Sequence, residues 1–266
     1  MGDVFPIITK PLVDQDTVTN TASQVKLSAL YVLYIATSGV LASVALLSNS
    51  VPILIGSMIV APLMPALALV PFALVTRRRA EATRGLSIAL LGLIVAFVAA
   101  WLTTALMDAL GVIASDALLL DYPLLVERSN PGWWSMAAAL AAGLAGTVAQ
   151  AREKTDAIIG TVAALALVPA VGAAAIAAFL GVAASALGAL LLLGMNVSLI
   201  IAMGITVVLA SEGRAGLRPL AFVPVIIVVV VGMLLLWAQA TETVPEKPNN
   251  TTVSSNAVFG AAVGAV

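Results

Sequence analysis

Long apolar runs separated by short polar segments dominate the chain. Seven of these runs approach or exceed the roughly 20 residues that a helix needs to cross a bilayer. In chain order they are predicted helices one to seven: 27–47, 51–75, 85–110, 133–148, 157–180, 185–209 and 221–239. The pattern therefore predicts an all-α polytopic membrane protein with about seven transmembrane helices.

Predicted helix two contains four prolines: Pro52, Pro62, Pro65 and Pro71. A proline in a helix interior removes a backbone N–H and crowds the carbonyl four residues earlier, at a cost of about 3 kcal/mol. A broken helix at membrane depth is tolerated mainly where it is buried in protein or lines a polar cavity. We therefore expect a break at Pro62 to Pro65 and a functional site beside it. The alternative is a simple kink whose freed carbonyls are satisfied by neighbouring hydroxyl groups.

A shift of 104 residues aligns predicted helices one to three with predicted helices four to six without a gap. The distinctive pairs are Gly56 with Gly160, Ser57 with Thr161, and Pro65 with Pro169. Each unit has an odd number of spans, so the two units are expected to cross the membrane in opposite directions. Such inverted repeats are typical of secondary transporters, whose sites lie between interrupted helices. The repeat predicts that helix five is also broken, at Pro169. Chance similarity between helices rich in Ala, Leu and Val is the alternative.

The distribution of Lys and Arg predicts the orientation. With a cytoplasmic amino terminus, ten of the 12 basic residues lie on the cytoplasmic side, as the positive-inside rule requires. The predicted segments are a cytoplasmic amino-terminal segment at 1–26, repeat 1 at 27–110, an extracytoplasmic loop at 111–132, repeat 2 at 133–210, an extra helix at 220–239 and an extracytoplasmic tail at 240–266. Within the loop, Leu124 and Leu125 indicate an amphipathic piece at the surface.

The composition excludes several functional classes. Hydrophobic residues make up 62% of the chain and charged residues 9%, whereas soluble domains carry about 25% charged residues. The net charge is −1 and the 12 Lys and Arg residues form no basic stripe of the kind that binds nucleic acid, so nucleic acid is not an expected partner. The chain contains no His and no Cys, which removes thiol catalysis, a His general base and Cys/His metal sites. We therefore expect no enzyme activity, no metal and no cofactor.

Polar residues within the spans are the remaining candidates for chemistry. Asn196 is a buried amide in predicted helix six, suited either to ligand binding or to bonding between helices. Asn49 is expected to cap helix two from the interface. Asp108 is the only carboxylate inside a predicted span and a candidate for a proton or cation role, although it lies near the helix end. The candidate substrate or ion site comprises Asn49, Gly56, Ser57, Pro62, Pro65, Gly160, Thr161, Pro169 and Asn196.

Three blocks of sequence are distinctive. They are 49–64, whose core reads ILIGSMIVAPLM, then 165–172 (LALVPAVG), and 188–192 (GALLL) followed by Asn196. Together they resemble a known bacterial family, the domain of unknown function 389. The chain departs from the family pattern at Ala170, where Pro-Pro is usual. The resemblance implies a multi-pass protein of the bacterial inner membrane, and it implies no activity.

Two functions are consistent with these observations. The repeat and the paired Gly and Pro positions favour a transporter or channel-like protein for a small solute or ion. The scarcity of buried charge, together with the small residues at 137–145 and 172–178, is instead typical of a non-transporting oligomeric scaffold. The expected partners are the lipid bilayer, further copies of this chain and an unidentified small solute or ion.

Overall fold

The computed structural model describes residues 12–113, 122–130, 132–152, 157–211, 229 and 232, with the backbone alone at 157–166. The described residues form helices and no strand. The helices are α1 (Gln15–Gln24), α2 (Ala29–Leu47), α3 (Val51–Val60), α4 (Met64–Val75), α5 (Arg79–Ala109), α6 (Pro123–Ser129), α7 (Trp133–Ala151), α8 (Ala157–Phe179) and α9 (Ala183–Ser211).

Three described helices, α2, α5 and α9, are each long and apolar enough to cross a membrane. The number rises to five if each of the bent pairs α3–α4 and α6–α7 counts as one span. The bounds agree closely with the predicted ones except at α5, which begins six residues early because its first turns are charged and interrupt the apolar pattern. Apart from Val229 and Gly232, the predicted seventh helix lies outside the described residues, as does the carboxy-terminal tail.

The helices α4 and α8 occupy the centre of the bundle. Every side chain at 66–73 of α4 and at 167–177 of α8 is buried, on all faces of each helix. A helix that is apolar and buried all round belongs to the core rather than to a lipid-facing layer. The large exposed apolar side chains lie mainly on the outer faces of α2, α5 and α9.

Hydrogen bonds at one end of the bundle establish the direction in which the helices run. Gln150 at the end of α7 donates to Gln24, and Leu12 donates to Ser211 at the end of α9. Arg84, near the start of α5, donates to the carbonyl of Val25. We call this end, where α2 and α5 begin and α7 and α9 finish, the basic end. Consequently α2 and α5 run away from it, whereas α7 and α9 run towards it.

The helix boundaries recur with the offset of 104 residues. Helices α2 and α7 begin at Ala29 and Trp133, and they end at Leu47 and Ala151. Helices α5 and α9 begin at 79 and 183, and α4 and α8 end at 75 and 179. Corresponding helices α2 and α7 therefore have matched bounds, and α5 and α9 have matched starts. In each of these pairs the two helices run in opposite directions.

The turns that follow α4 and α8 have the same hydrogen bonds. Arg78 N–H donates to Ala73 O at 2.7 Å, and Val182 N–H donates to Ala177 O at 2.9 Å. Between them, Arg77 and Gly181 occupy the left-handed region, with φ of 63° and 73°. This is the Schellman arrangement at a helix carboxyl end, and it is repeated at equivalent positions of the two halves.

The prediction that helix five is broken at Pro169 is wrong. The α8 helix continues from Ala157 to Phe179 with Pro169 in its interior, and Pro71 lies within α4 in the same way. A single proline removes one backbone N–H, which a buried helix can accommodate. Helix two breaks where two prolines, Pro62 and Pro65, lie three residues apart. The position equivalent to Pro62 in α8 is Ala166, which retains its N–H.

Two short helices precede α2 and α7. The α1 helix lies across the basic end, with Val18 and Thr21 buried and Arg78 donating to Thr19 at 3.0 Å. The α6 helix makes a 75° bend with α7 and packs on α8 and α9. Leu125 is fully buried there. Glu127 on the same helix is exposed, so the helix is amphipathic and lies on the surface of the bundle. Its position at the membrane surface stays a prediction.

The pH dependence of α1 is the first testable prediction. Asp14 caps α1, and the hydrogen bonds it accepts from Thr17 lower the pKa of its carboxyl from 3.8. Because the folded-state pKa is depressed, this stabilisation is present above pH 3.8 and is lost as pH falls through the folded pKa. Amide exchange of α1, corrected for intrinsic rates, should therefore rise as the pH falls below 3.8. Asp14→Ala should destabilise α1 by about 1 kcal/mol already at pH 7, because it removes the cap. Asp14→Asn should retain the cap and remove the pH dependence.

Candidate functional site

The candidate site is the break between α3 and α4, formed by Ala61, Pro62 and Leu63. The two half-helices meet at an angle of 52°. The α3 helix lies at the periphery, with Ile55 and Ile59 exposed, while α4 lies in the core. Ala61 and Leu63 are buried, at 3% and 1% exposure. The break therefore carries the chain from the outer layer into the centre, near the middle of predicted helix two.

The prolines account for the break through the hydrogen bonds that they prevent. Ala61 adopts an extended conformation, with ψ of 111°, as the residue before a proline prefers. Pro62 has no N–H with which to bond the Met58 carbonyl. The Leu63 N–H donates to the carbonyl of Ala61 at 3.0 Å instead of to the carbonyl of Ile59. The carbonyls of Met58 and Ile59, in the last turn of α3, therefore lack the helical hydrogen bonds that they would ordinarily accept.

Buried hydroxyl groups bond to the backbone on the α3 side of the break. Ser38, at the middle of α2, donates to the carbonyl of Ser57 at 2.7 Å. The Ser57 hydroxyl donates to Leu54 at 2.6 Å. Both serines are fully buried. The four final carbonyls of a helix lack helical partners, and the Ser57 carbonyl is one of these four in α3. The Ser38 hydroxyl therefore satisfies an acceptor at the end of α3.

Three further helices approach the α4 side of the break. Gly92 of α5 lies against Leu63 and against the hydroxyl group of Tyr31 in α2, and that hydroxyl group donates to Ile88 at 3.0 Å. On α7, a Cβ atom placed on Gly146 would come within 2.5 Å of the Met64 side chain. The break is therefore surrounded by side chains of α2, α5 and α7 at close range.

The structure gives Asn49 a role different from the predicted one. Asn49 has φ of 51° and ends α2, with Ser50 N–H donating to Ala45 O at 2.8 Å. The amino-terminal cap position of α3 is Ser50, which makes no side-chain cap bond. The Asn49 side chain instead accepts a bond of 3.4 Å from the N–H of Leu124 in α6. The predicted capping of helix two by Asn49 is therefore wrong, because Asn49 holds α6 against the end of α2.

The remaining candidate residues are dispersed. Ser57, Pro62 and Pro65 lie at the break. A Cβ on Gly56 would meet no atom within 4 Å, so packing does not require a glycine there. Asn196 is buried on α9, at 1% exposure, and Asp108 is exposed in the last turn of α5. Pro169 is buried within α8. For Gly160 and Thr161 only the helical backbone is described.

The sequence interpretation missed a pair of close backbone contacts. A Cβ atom on Gly39 of α2 would collide with the carbonyl of Ala96 in α5. A Cβ on Gly143 of α7 would lie 2.9 Å from the carbonyl of Ile200 in α9. Gly39 and Gly143, like Ala96 and Ile200, are 104 residues apart, so the repeat alignment already contained the signal. Within the run of small residues at 137–145, Gly143 therefore serves packing within the protomer.

One family model matches the chain. The domain of unknown function DUF389 covers residues 58–202, which is more than half of the chain and extends from the end of α3 into α9. Pro62, Pro65, Pro169 and Asn196 lie inside the match, and Asn49, Gly56 and Ser57 precede it. Comparison with curated proteins and with solved structures gives no match.

Proposed function

The chain belongs to the DUF389 family, and we propose that it is a multi-pass membrane protein that moves a small solute or ion across the bilayer through the break in helix two. The apolar helices support the membrane assignment, and the family resemblance supports the bacterial inner membrane. The distribution of Lys and Arg supports an amino terminus in the cytoplasm. The proposal includes no catalytic role.

The observation that carries this proposal is a helix interruption within the packed interior. Helix ends that meet at membrane depth expose backbone groups that lipid cannot satisfy, so they occur where the protein uses them. Transporters use such discontinuous helices to bind their substrates near the bilayer midplane. In this chain the break lies about 18 Å from the basic end, by the length of the 12-residue α4.

The matched and oppositely directed helices support an inverted repeat. Helices α2, α3–α4 and α5 would form one unit, and α7, α8 and α9 the other, with the predicted seventh helix outside both. Helix α5 of the first unit packs on α8 of the second, while α9 of the second packs on α4 of the first. Movement of one unit against the other would then open the break towards either side in turn.

The backbone chemistry of the break favours a cation, or a solute that donates hydrogen bonds. Both Pro62 and Pro65 lack an N–H, so the first turn of α4 offers fewer donors than an ordinary helix start. The carbonyls of Met58 and Ile59 lack their ordinary helical partners and present partial negative charge. Acceptors therefore outnumber donors at this position.

Single-cysteine labelling tests this function without knowledge of the substrate, since the native chain has no cysteine. In proteoliposomes, Ala61→Cys should react with a water-soluble, membrane-impermeant thiosulfonate, and a cationic reagent should react faster than an anionic one. Ala68→Cys is the matched control, because Ala68 is buried at 1% exposure within α4. It should remain unlabelled. An open state populated at about 1–10% is enough for the reaction to be seen.

The two possible functions differ in this experiment. A sealed scaffold predicts that neither cysteine reacts, and that result would overturn the proposal in favour of the non-transporting oligomer. Equal reaction at both positions would indicate local unfolding and would also contradict a pathway at the break. A faster anionic reagent at Ala61→Cys would retain the pathway and reverse the expected charge preference.

A further inference from the structure

The charged side chains are distributed unequally between the two ends of the bundle. Among the described residues, the basic end carries six basic side chains, Lys26, Arg77, Arg78, Arg79, Arg84 and Arg152, against three acidic ones, Asp14, Asp16 and Glu81. Around α6 and the end of α5 the described charged residues are Asp108, Glu127 and Arg128, of which the last two form a pair at 3.4 Å. The basic end therefore has a local excess of positive charge although the whole chain is close to neutral.

The arginines at the basic end fall into two groups. Arg78 and Arg84 form ion pairs with Glu81, at 3.9 and 3.6 Å respectively. Arg78 also donates a hydrogen bond to α1, and Arg84 donates one to the segment that follows α1. Arg77 and Arg79 are exposed and take part in neither of these ion pairs. The second group is therefore not needed to fasten α1 to the bundle.

Arg77 occupies a backbone position that ordinarily takes a different residue. Four helix ends in the described chain form the same Schellman turn, and their left-handed residues are Asn49, Arg77, Gly111 and Gly181. Glycine and asparagine are the usual choices because a side chain with a Cβ is crowded in this conformation. Gly181 is the equivalent of Arg77 at the opposite end. An arginine here is unfavourable for the turn, so its side chain is the feature that needs an explanation.

Exposed apolar side chains border the basic residues. Leu74, one turn before Arg77, is 45% exposed, and Leu27, next to Lys26, is 57% exposed. A soluble anion would not require this border. A phospholipid would, because its acyl chains cover the leucines while its phosphate lies beside the arginines.

We propose that Arg77 and Arg79, with Lys26 at the same end of the bundle, bind the phosphate headgroups of anionic phospholipids in the leaflet at the basic end. This inference rests on the proposed membrane insertion but not on the proposed movement of a solute. The bound headgroups neutralise the excess charge at this end and hold the bundle at a defined depth in the bilayer.

Retention of lipid by the full chain tests this site. The protein in detergent micelles is titrated with phosphatidylglycerol or phosphatidylcholine, and native mass spectrometry counts the lipids retained. Arg77→Gly should weaken the apparent affinity for phosphatidylglycerol about fivefold, the effect of one basic residue at a membrane surface. Arg128→Gln, which removes the arginine of the other end, should leave that affinity unchanged.

The choice of glycine keeps the test independent of folding. Glycine suits the left-handed turn, so Arg77→Gly should unfold in phosphatidylcholine at the same temperature as the native chain or at a higher one. A phosphatidylglycerol affinity that Arg77→Gly leaves unaltered would overturn the proposal. Equal competition by inorganic phosphate would assign the site to a soluble anion and would also overturn it. Failure of the cysteine labelling, with lipid retention intact, would affect only the transport function.

Discussion

Replacing Gly39 by alanine is expected to destabilise the protein by about 2–3 kcal/mol, the usual cost of overpacking an interior. The added Cβ atom would clash with the carbonyl oxygen of Ala96. That atom belongs to the backbone of α5, so relief requires separation of two packed helices rather than rotation of a side chain. Unfolding in mixed micelles, titrated with a denaturing detergent and followed by tryptophan fluorescence, measures the loss.

The repeat provides both a second test and a control for this prediction. Gly143→Ala should also destabilise, by a smaller amount, because the nearest backbone atoms of Ile200 lie at 2.9–3.0 Å. Gly194→Ala, on α9 with no atom within 4 Å of the new Cβ, should be neutral or stabilising by up to about 1 kcal/mol. If Gly39→Ala were as stable as Gly194→Ala, the backbone contact between α2 and α5 would be disproved.

The double substitution Pro62→Ala with Pro65→Ala should abolish the labelling of Ala61→Cys. Each proline disfavours a continuous helix by about 3 kcal/mol, so their removal favours a straight helix by about 6 kcal/mol. That exceeds the roughly 5.5 kcal/mol that converts a 1:99 equilibrium into 99:1. With helix two continuous, the carbonyls of the break would bond within the helix. The labelling rate of the cysteine should then fall to that of Ala68→Cys.

Pro52→Ala is the matched control for this experiment. Pro52 lies in the first turn of α3, where its missing N–H removes no helical bond. It should leave the reaction of Ala61→Cys unchanged. If the double substitution also left the rate unchanged, the prolines would not be what maintains the pathway, and water would reach Ala61 by another route.

The different outcomes at Pro65 and Pro169 show how far a proline pattern can be interpreted. The repeat alignment matched these two residues and predicted two breaks that jointly enclose a site. Of these two predicted breaks the structure has only the first, because Pro62 has no counterpart in α8 and one lost N–H leaves that helix continuous. The proposed pathway is therefore asymmetric. An interrupted helix in one unit is matched by a continuous helix in the other, whose residues 167–177 are buried.

The helices themselves were determined by the sequence alone. Apolar runs of bilayer length specify helices wherever they occur, and so the predicted bounds of α2, α7, α8 and α9 differ from the observed ones by at most three residues. The paired prolines likewise located the break, since the loss of N–H groups is a local property of the chain. The offset of 104 residues was also visible in the sequence, and it applies to the observed helix ends and turns.

Only the tertiary structure decided which groups meet. Every apolar helix presents similar side chains, so no pattern could show that α4 and α8 form the core or that Ser38 bonds to Ser57. The contacts of Gly39 and Asn49 depend on neighbours 57 and 75 residues away in the chain. Local sequence determines whether a helix forms and where its backbone bonds fail. The packing of distant helices determines which partner satisfies each of those groups, and that is decided by the fold as a whole.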